Sequence, residues 1–140
     1  MQASPSEDTA TMSQISIISF GFLHGEPPKN AHVVWDLRRH FRDPHIDPAL
    51  RHLTACDPQV VAAVLDTPGI GLLIESMATS ARAYMSGPSA RGKDLVYAVG
   101  CAGGRHRAAT VATRLYDLLT LDRYNVTLIH RDLDKAVVER

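Results

Sequence analysis

Cysteine is scarce: the 140-residue chain has two, Cys56 and Cys101. Two cannot build a disulfide framework, and in a reducing compartment they are expected as free thiols. No apolar run approaches the roughly eighteen residues that a spanning helix requires, so no membrane association is expected. The first fourteen residues lack the basic start and apolar stretch of a signal peptide, which makes a cytoplasmic setting the expectation. Net charge is missing too: fifteen acids cancel fifteen bases, which argues against a general polyanion-binding surface. Lysine supplies only three of those bases, and the rest are arginine, the fork-shaped donor suited to phosphate and carboxylate.

Several motifs are absent as well. There is no GxxxxGK[S/T], so no P-loop nucleotide site, and Gly100 to Gly104 does not fit the dinucleotide fingerprint. HExxH and paired CxxC are lacking, and His40, His45 and His52 lie on an irregular loop, so no metal and no cofactor is expected. No internal repeat is visible.

What is present is one domain's worth of ordinary globular sequence, 45% hydrophobic. Residues 1–14 read as a disordered leader, 15–135 as the folded domain and 136–140 as a short charged tail. Ile15–Phe20, Val33–Leu37, Asp94–Val99 and Asn125–His130 read as strands. Asp57-Pro58 is a helix-start signal, followed by Val60, Val61, Val64 and Leu65 at helical spacing. Ile70, Leu73, Ile74, Met77, Ala81 and Tyr84 mark a second helix, and a third is expected from Arg105, with Ala108, Val111, Ala112 and Leu115 on one stripe. Alternating strands and helices predict an α/β fold: a single domain with a mostly parallel sheet of about four strands flanked by helices.

The bases are unevenly placed. Residues 36–55 sum to +1 and 101–140 to +2, while 1–35 sum to −2 and 56–100 to −1; five of the seven histidines fall in the two basic segments. Residues 38–57 hold four Arg, three Asp and three His with little periodicity, and a long irregular stretch inside a compact domain is usually functional or disordered. The other segment holds Gly100-Cys101-Ala102-Gly103-Gly104-Arg105-His106-Arg107, between a strand and a helix. Glycines let backbone N–H groups approach an anion, and a helix N-terminus adds donors and partial positive charge. Arginines at that position oppose the macrodipole, a conflict that a bound phosphate resolves. The Cys101-x5-Arg107 spacing also matches the phosphate loop of cysteine-dependent phosphatases, with Cys101 as nucleophile, Arg107 on the phosphate and Asp43, Asp47 or Asp57 as general-acid candidates. Against that chemistry, Ala108 stands where those enzymes carry Ser or Thr.

Six motifs in order carry a resemblance across residues 15–135: Ser19-Phe20-Gly21-Phe22 with His24-Gly25; Asp36-Leu37-Arg38; Asp43 to Arg51; Leu53-Thr54; Gly100 to Arg107; and His130-Arg131-Asp132-Leu133. Together they resemble the C-terminal domain of the RapZ family of bacterial RNase adapters, also known as the YvcJ or P-loop ATPase-like family. The resemblance implies a phosphofructokinase-subdomain-like α/β unit, here standing alone without the family's N-terminal NTPase domain. It implies binding of a phosphorylated amino sugar, glucosamine 6-phosphate, and in some members of small RNAs and an RNase, with a contribution to homo-oligomerisation. The pocket residues it carries over are Asp36, Arg38, His45, Asp47 and Arg51 from the middle loop, and Cys101, Gly103, Gly104, Arg105, His106 and Arg107 from the glycine turn. His24, His130, Arg131 and Asp132 are implied as rim residues. The family commonly has Thr at the position of Ala102 and Ser at that of Ala108, and its RNA-binding members end in a run of bases that Lys135 to Arg140 does not reproduce.

The expectation is a non-enzymatic binding module for a phosphorylated metabolite. Its partners would be a phosphorylated small molecule and, in the alternative adapter reading, RNA or an RNase. A cysteine phosphatase is the second alternative.

Overall fold

The computed structural model describes residues 13–140; the expected leader, apart from its last two residues, lies outside the described residues. Those two belong to the fold: Ser13 is buried with its hydroxyl on the Ala90 carbonyl, and Gln14 opens the first strand.

Four strands form one sheet: β1 (Gln14–Gly21), β2 (Val33–Asp36), β3 (Leu95–Cys101) and β4 (Asn125–His130). All pairings are parallel and the order is β2-β3-β1-β4. β3 lies between β2 and β1, and every one of its residues is buried. Its sequence is accordingly an apolar run without alternation, as an interior parallel strand requires. The edge strands β2 and β4 alternate or stay half-exposed.

Three helices pack together on the sheet: α1 (Pro58–Leu65), α2 (Ile70–Tyr84) and α3 (Arg107–Leu121). Ile15, Ile17, Tyr97 and Val99 from one sheet face meet Val60, Val64, Ile70, Ile74, Met77, Val111 and Leu115 in a single core. At about 25 cal/mol per Å² of apolar area removed from water, that cluster is the main favourable contribution to folding. Among the described residues no single helix is long and apolar enough to cross a membrane.

Two expected features shift. The third helix starts at Arg107, not Arg105, because Gly104 has φ +77° and His106 takes φ −119° and ψ −87°, neither of which is helical, so the chain cannot become helical earlier. Asp57 occupies the N-cap position of α1, but its carboxylate turns back to accept from the N–H of Thr54 and leaves the helix N–H groups alone.

Because all strands run the same way, Gly21, Asp36, Cys101 and His130 end at one edge, where open α/β sheets place their ligands. β1 touches the glycine turn there at backbone level. A Cβ on Gly21 would lie 2.3 Å from the Gly103 carbonyl carbon, and one on Gly104 would lie 2.7 Å from the Gly21 nitrogen. Only glycine permits this contact, so these two residues fix the turn against the sheet.

Candidate functional site

The glycine turn leaves the end of β3 and folds over its own first residue. Cys101 is 2% exposed, and its sulfur accepts from the N–H groups of Gly104 at 3.3 Å and Ala108 at 3.4 Å. The N–H groups of Gly103, Arg105 and His106 have no acceptor among the described residues.

The three side chains that follow the turn hold the middle loop in place. Arg107, 2% exposed, aims Nη1 at the carbonyls of Leu37 (3.0 Å), Arg38 (3.1 Å) and Phe41 (2.8 Å), and Nη2 at Asp43 Oδ2 (3.1 Å). His106 shares a hydrogen bond with the Leu53 carbonyl at 2.7 Å through Nε2. Arg105 donates to the carbonyls of His52 and Lys135, and its own carbonyl accepts from Ala55. Irregular backbone inside a fold must find partners for its carbonyls. Here the basic run Arg105-His106-Arg107 supplies them, which also accounts for arginine at a helix N-terminus. Arg107, expected on a phosphate, thus directs its guanidinium to the chain's own carbonyls and to Asp43.

Between turn and loop lies a small pocket lined by Asp43, His45, Arg51, Cys101, Gly103, Arg105 and His106, with Val137, Val138 and Arg140 closing it. Asp43 caps a 3-10 turn at Pro44–Ile46 by accepting from the His45 N–H at 3.0 Å. Burial pushes its pKa up. The nearby His106 ring, the His45 N–H and the charges of Arg107 and Arg140 outweigh that and hold the carboxyl well below the usual range. His106 Nδ1 is 4.0 Å from Asp43 Oδ1, too far for a direct hydrogen bond. Arg51 spends Nε on the His45 carbonyl at 2.9 Å, and its Nη groups have no acceptor among the described residues. Burial, followed by the charge of Arg140, lowers the pKa of His45.

Six residues expected at the site thus line one pocket: His45, Arg51, Cys101, Gly103, Arg105 and His106. Gly104 and Arg107 lie beneath it as support. Asp36 and Arg38 are not brought there. Asp36 pairs with Gly100, one residue before Cys101, so strand alternation sends its side chain to the other face. On that face Arg38 makes a two-pronged ion pair with Asp36 and stacks 3.6 Å above the Phe22 ring. Asp47 caps a local turn through the Ala49 N–H.

Of the rim residues, Asp132 is fully buried, accepts from the Gly21 N–H at 2.8 Å and from Arg131, and forms an ion pair with Lys135. Arg131 also holds the loop after β1 through the carbonyls of Glu26 and Gly25. His130 bonds Ser19 at 2.6 Å on the outer strand. His24 Nε2 is buried without a partner, away from the pocket lining. Among the described residues no three His, Cys, Asp or Glu side chains come together as a metal site.

Sequence reasoning placed Asp43 only as a general-acid candidate and residues 136–140 only as a short charged tail, and assigned neither to the binding pocket. An Asp-Pro pair ahead of a turn is a legible cap signal for Asp43. Nothing in Lys135 to Arg140 announces that it returns to the glycine turn.

The model of the RapZ C-terminal domain family matches residues 13–134. Among curated proteins, a nucleotide-binding protein of Sphingopyxis alaskensis is 41% identical over 123 residues, covering 87% of this chain and 38% of the relative. Similar proteins of the same description occur in Heliobacterium modesticaldum, 37% identical over 87% of this chain and 40% of the relative, and in Thermus thermophilus, 38% identical over 86% and 43%. The chain spans about two-fifths of the length of the curated relatives it matches.

Proposed function

The chain belongs to the RapZ C-terminal domain family, and from that premise we propose that it is a binding module for a small phosphorylated metabolite, an amino-sugar phosphate such as glucosamine 6-phosphate. The observation that carries this reading is the set of unsatisfied donors on one pocket. The N–H groups of Gly103, Arg105 and His106 and the Nη groups of Arg51 have no acceptor among the described residues and belong to residues that line the same small space. Converging amides and a guanidinium are what phosphate oxygens require. The carboxylate of Asp43 in the same lining suits a ligand that carries a cation as well.

Two other readings gain less from the geometry. A phosphatase needs an accessible thiolate and an arginine free to follow the phosphate. Here the sulfur is buried and held by two amides, and Arg107 is committed to three carbonyls. An RNA adapter needs free bases, and those of the C-terminal segment are engaged: Arg131 and Lys135 are paired with Asp132 and Arg140 with Asp43.

Isothermal titration with glucosamine 6-phosphate, glucosamine and inorganic phosphate tests the proposal. Binding is expected for the sugar phosphate, with a weaker response to phosphate alone. Arg51→Ala is expected to lower the affinity about tenfold, the worth of one charge-assisted hydrogen-bond pair. No heat from any phospho-ligand, or equal affinity in Arg51→Ala, overturns it.

A further inference from the structure

The pocket is already occupied by the chain itself. Arg140 Nη1 lies 2.7 Å from Asp43 Oδ2, and Arg140 Nη2 approaches Gly103 closely enough to be 3.5 Å from a Cβ built there. Val137 and Val138 complete the lining, and the space left is about 10 Å³, room for roughly one water. No sugar phosphate fits beside this segment. The anchor is specific: Asp43 is mostly buried, with its carboxylate already oriented by the His45 N–H and Arg107. Among the described residues, Arg140 is the one partner of Asp43 that comes from outside the turn and loop. The approach to the tail is equally fixed. Lys135 is tied to Asp132 through its side chain and to Arg105 through its carbonyl, so the segment leaves from a fixed point five residues before Arg140.

We propose that residues 136–140 are an internal competitor for the pocket, with Arg140 on Asp43 standing in for the cationic group of the ligand. The proposal rests on the binding reading above and adds its regulation. Ligand and tail exclude each other, so ligand binding releases the tail from the surface and tail docking lowers apparent affinity by the fraction of molecules that are open. A ligand with both a phosphate and an ammonium group displaces the tail most readily. It satisfies the turn donors and Asp43 together, whereas inorganic phosphate leaves Asp43 with its Arg140 partner.

Two measurements on the full chain test this. The first needs no ligand: backbone ¹⁵N relaxation of residues 136–140 is expected to show an ordered tail in the wild type and a mobile one in Asp43→Asn. A tail already mobile in the wild type, or unaffected by Asp43→Asn, overturns the proposal. The second titrates glucosamine 6-phosphate and inorganic phosphate into the wild type and Arg140→Ala. Arg140→Ala is expected to bind the sugar phosphate roughly fivefold to tenfold more tightly, and saturation of the wild type is expected to mobilise residues 136–140. Weaker binding by Arg140→Ala makes Arg140 a ligand contact and overturns the proposal, as does a tail that stays ordered at saturation. An ordered tail released by Asp43→Asn, with no heat from either probe even in Arg140→Ala, overturns the sugar-phosphate reading and leaves the clasp standing.

Discussion

Two Arg–Asp pairs flank the same edge of the sheet and behave in opposite ways. Arg107 with Asp43 lies under the pocket, its side chain 3% exposed. Arg38 with Asp36 lies on the other face, with both side chains more than 40% exposed. The second has the better ion-pair geometry, two bonds at 2.7 and 3.0 Å against a single contact at 3.1 Å. The first nevertheless does more for the structure, because it also closes three carbonyls of an irregular loop from a buried guanidinium. The difference teaches that an arginine beside a glycine turn has two possible acceptors, a ligand's oxygens or the chain's own. Which one wins is decided by how much unpaired backbone lies within reach.

The comparison breaks most visibly at Arg107. Arg107→Ala leaves Asp43 half-paired and orphans the carbonyls of Leu37 and Phe41, and a cost of about 3 kcal/mol is expected, as for other broken buried pairs. Urea unfolding checks the magnitude. Hydrogen exchange checks the location, with lost protection expected for residues 37–43 before the sheet is affected. Arg107→Lys should recover little, since one ammonium cannot span three carbonyls and a carboxylate as a planar fork does. If Arg107→Ala is as stable as the wild type, the buried pair is no different in kind from the exposed one.

Much of the fold was legible because it depends on local pattern. The apolar run Leu95–Val99 could hardly be anything but an interior strand, and the stripe Ala108, Val111, Ala112, Leu115 fixed the helix after it. Helix initiation at Arg107 was less legible, since it turns on the positive φ of Gly104 and the non-helical backbone of His106, which composition does not encode. The site was legible as a neighbourhood: the glycine turn and the middle loop do meet. Which of their side chains face inward was not, for two physical reasons. Asp36 is excluded by one step of strand alternation, and Arg107 by carbonyls seventy residues away in sequence that only the folded chain brings near.

The two pairs should also part company in acid. Asp43 and Asp132 have pKa values lowered in the fold: burial works against it, but the His106 ring, the His45 N–H and two arginines at Asp43 outweigh that, as do Arg131, the Gly21 N–H and Lys135 at Asp132. A carboxylate whose pKa is lower folded than unfolded contributes stability above the unfolded value, near 4. That contribution is lost as pH falls through the folded value. Unfolding free energy is therefore expected to drop progressively from about pH 4 downward, and Asp43→Asn should flatten the slope. His45 and His130, lowered chiefly by burial, add an earlier decline that begins as pH falls below about 6.5. Asp36 is also lowered, first by its bond to Arg38, but its exposure leaves that effect open to screening by salt. Raising the salt concentration should erase its share of the slope and leave that of Asp43, and an equal loss of both contradicts the contrast in burial.

The smallest effect expected is at Arg38. Exposed ion pairs contribute about 0.2–1 kcal/mol, and the stacking of the guanidinium on Phe22 adds a comparable amount at a surface site. Arg38→Ala should therefore cost well under the loss at Arg107 and leave sugar-phosphate affinity unchanged, because Arg38 does not line the pocket. Arg38→Gln separates the terms, since it removes the charge while keeping part of the chain over the ring. A Tm within a degree or two of wild type for Arg38→Gln, with unaltered titration by glucosamine 6-phosphate, fits a surface pair. A large drop in affinity would instead mean that the ligand reaches across the sheet edge to the opposite face, and the separation drawn from strand alternation would fail.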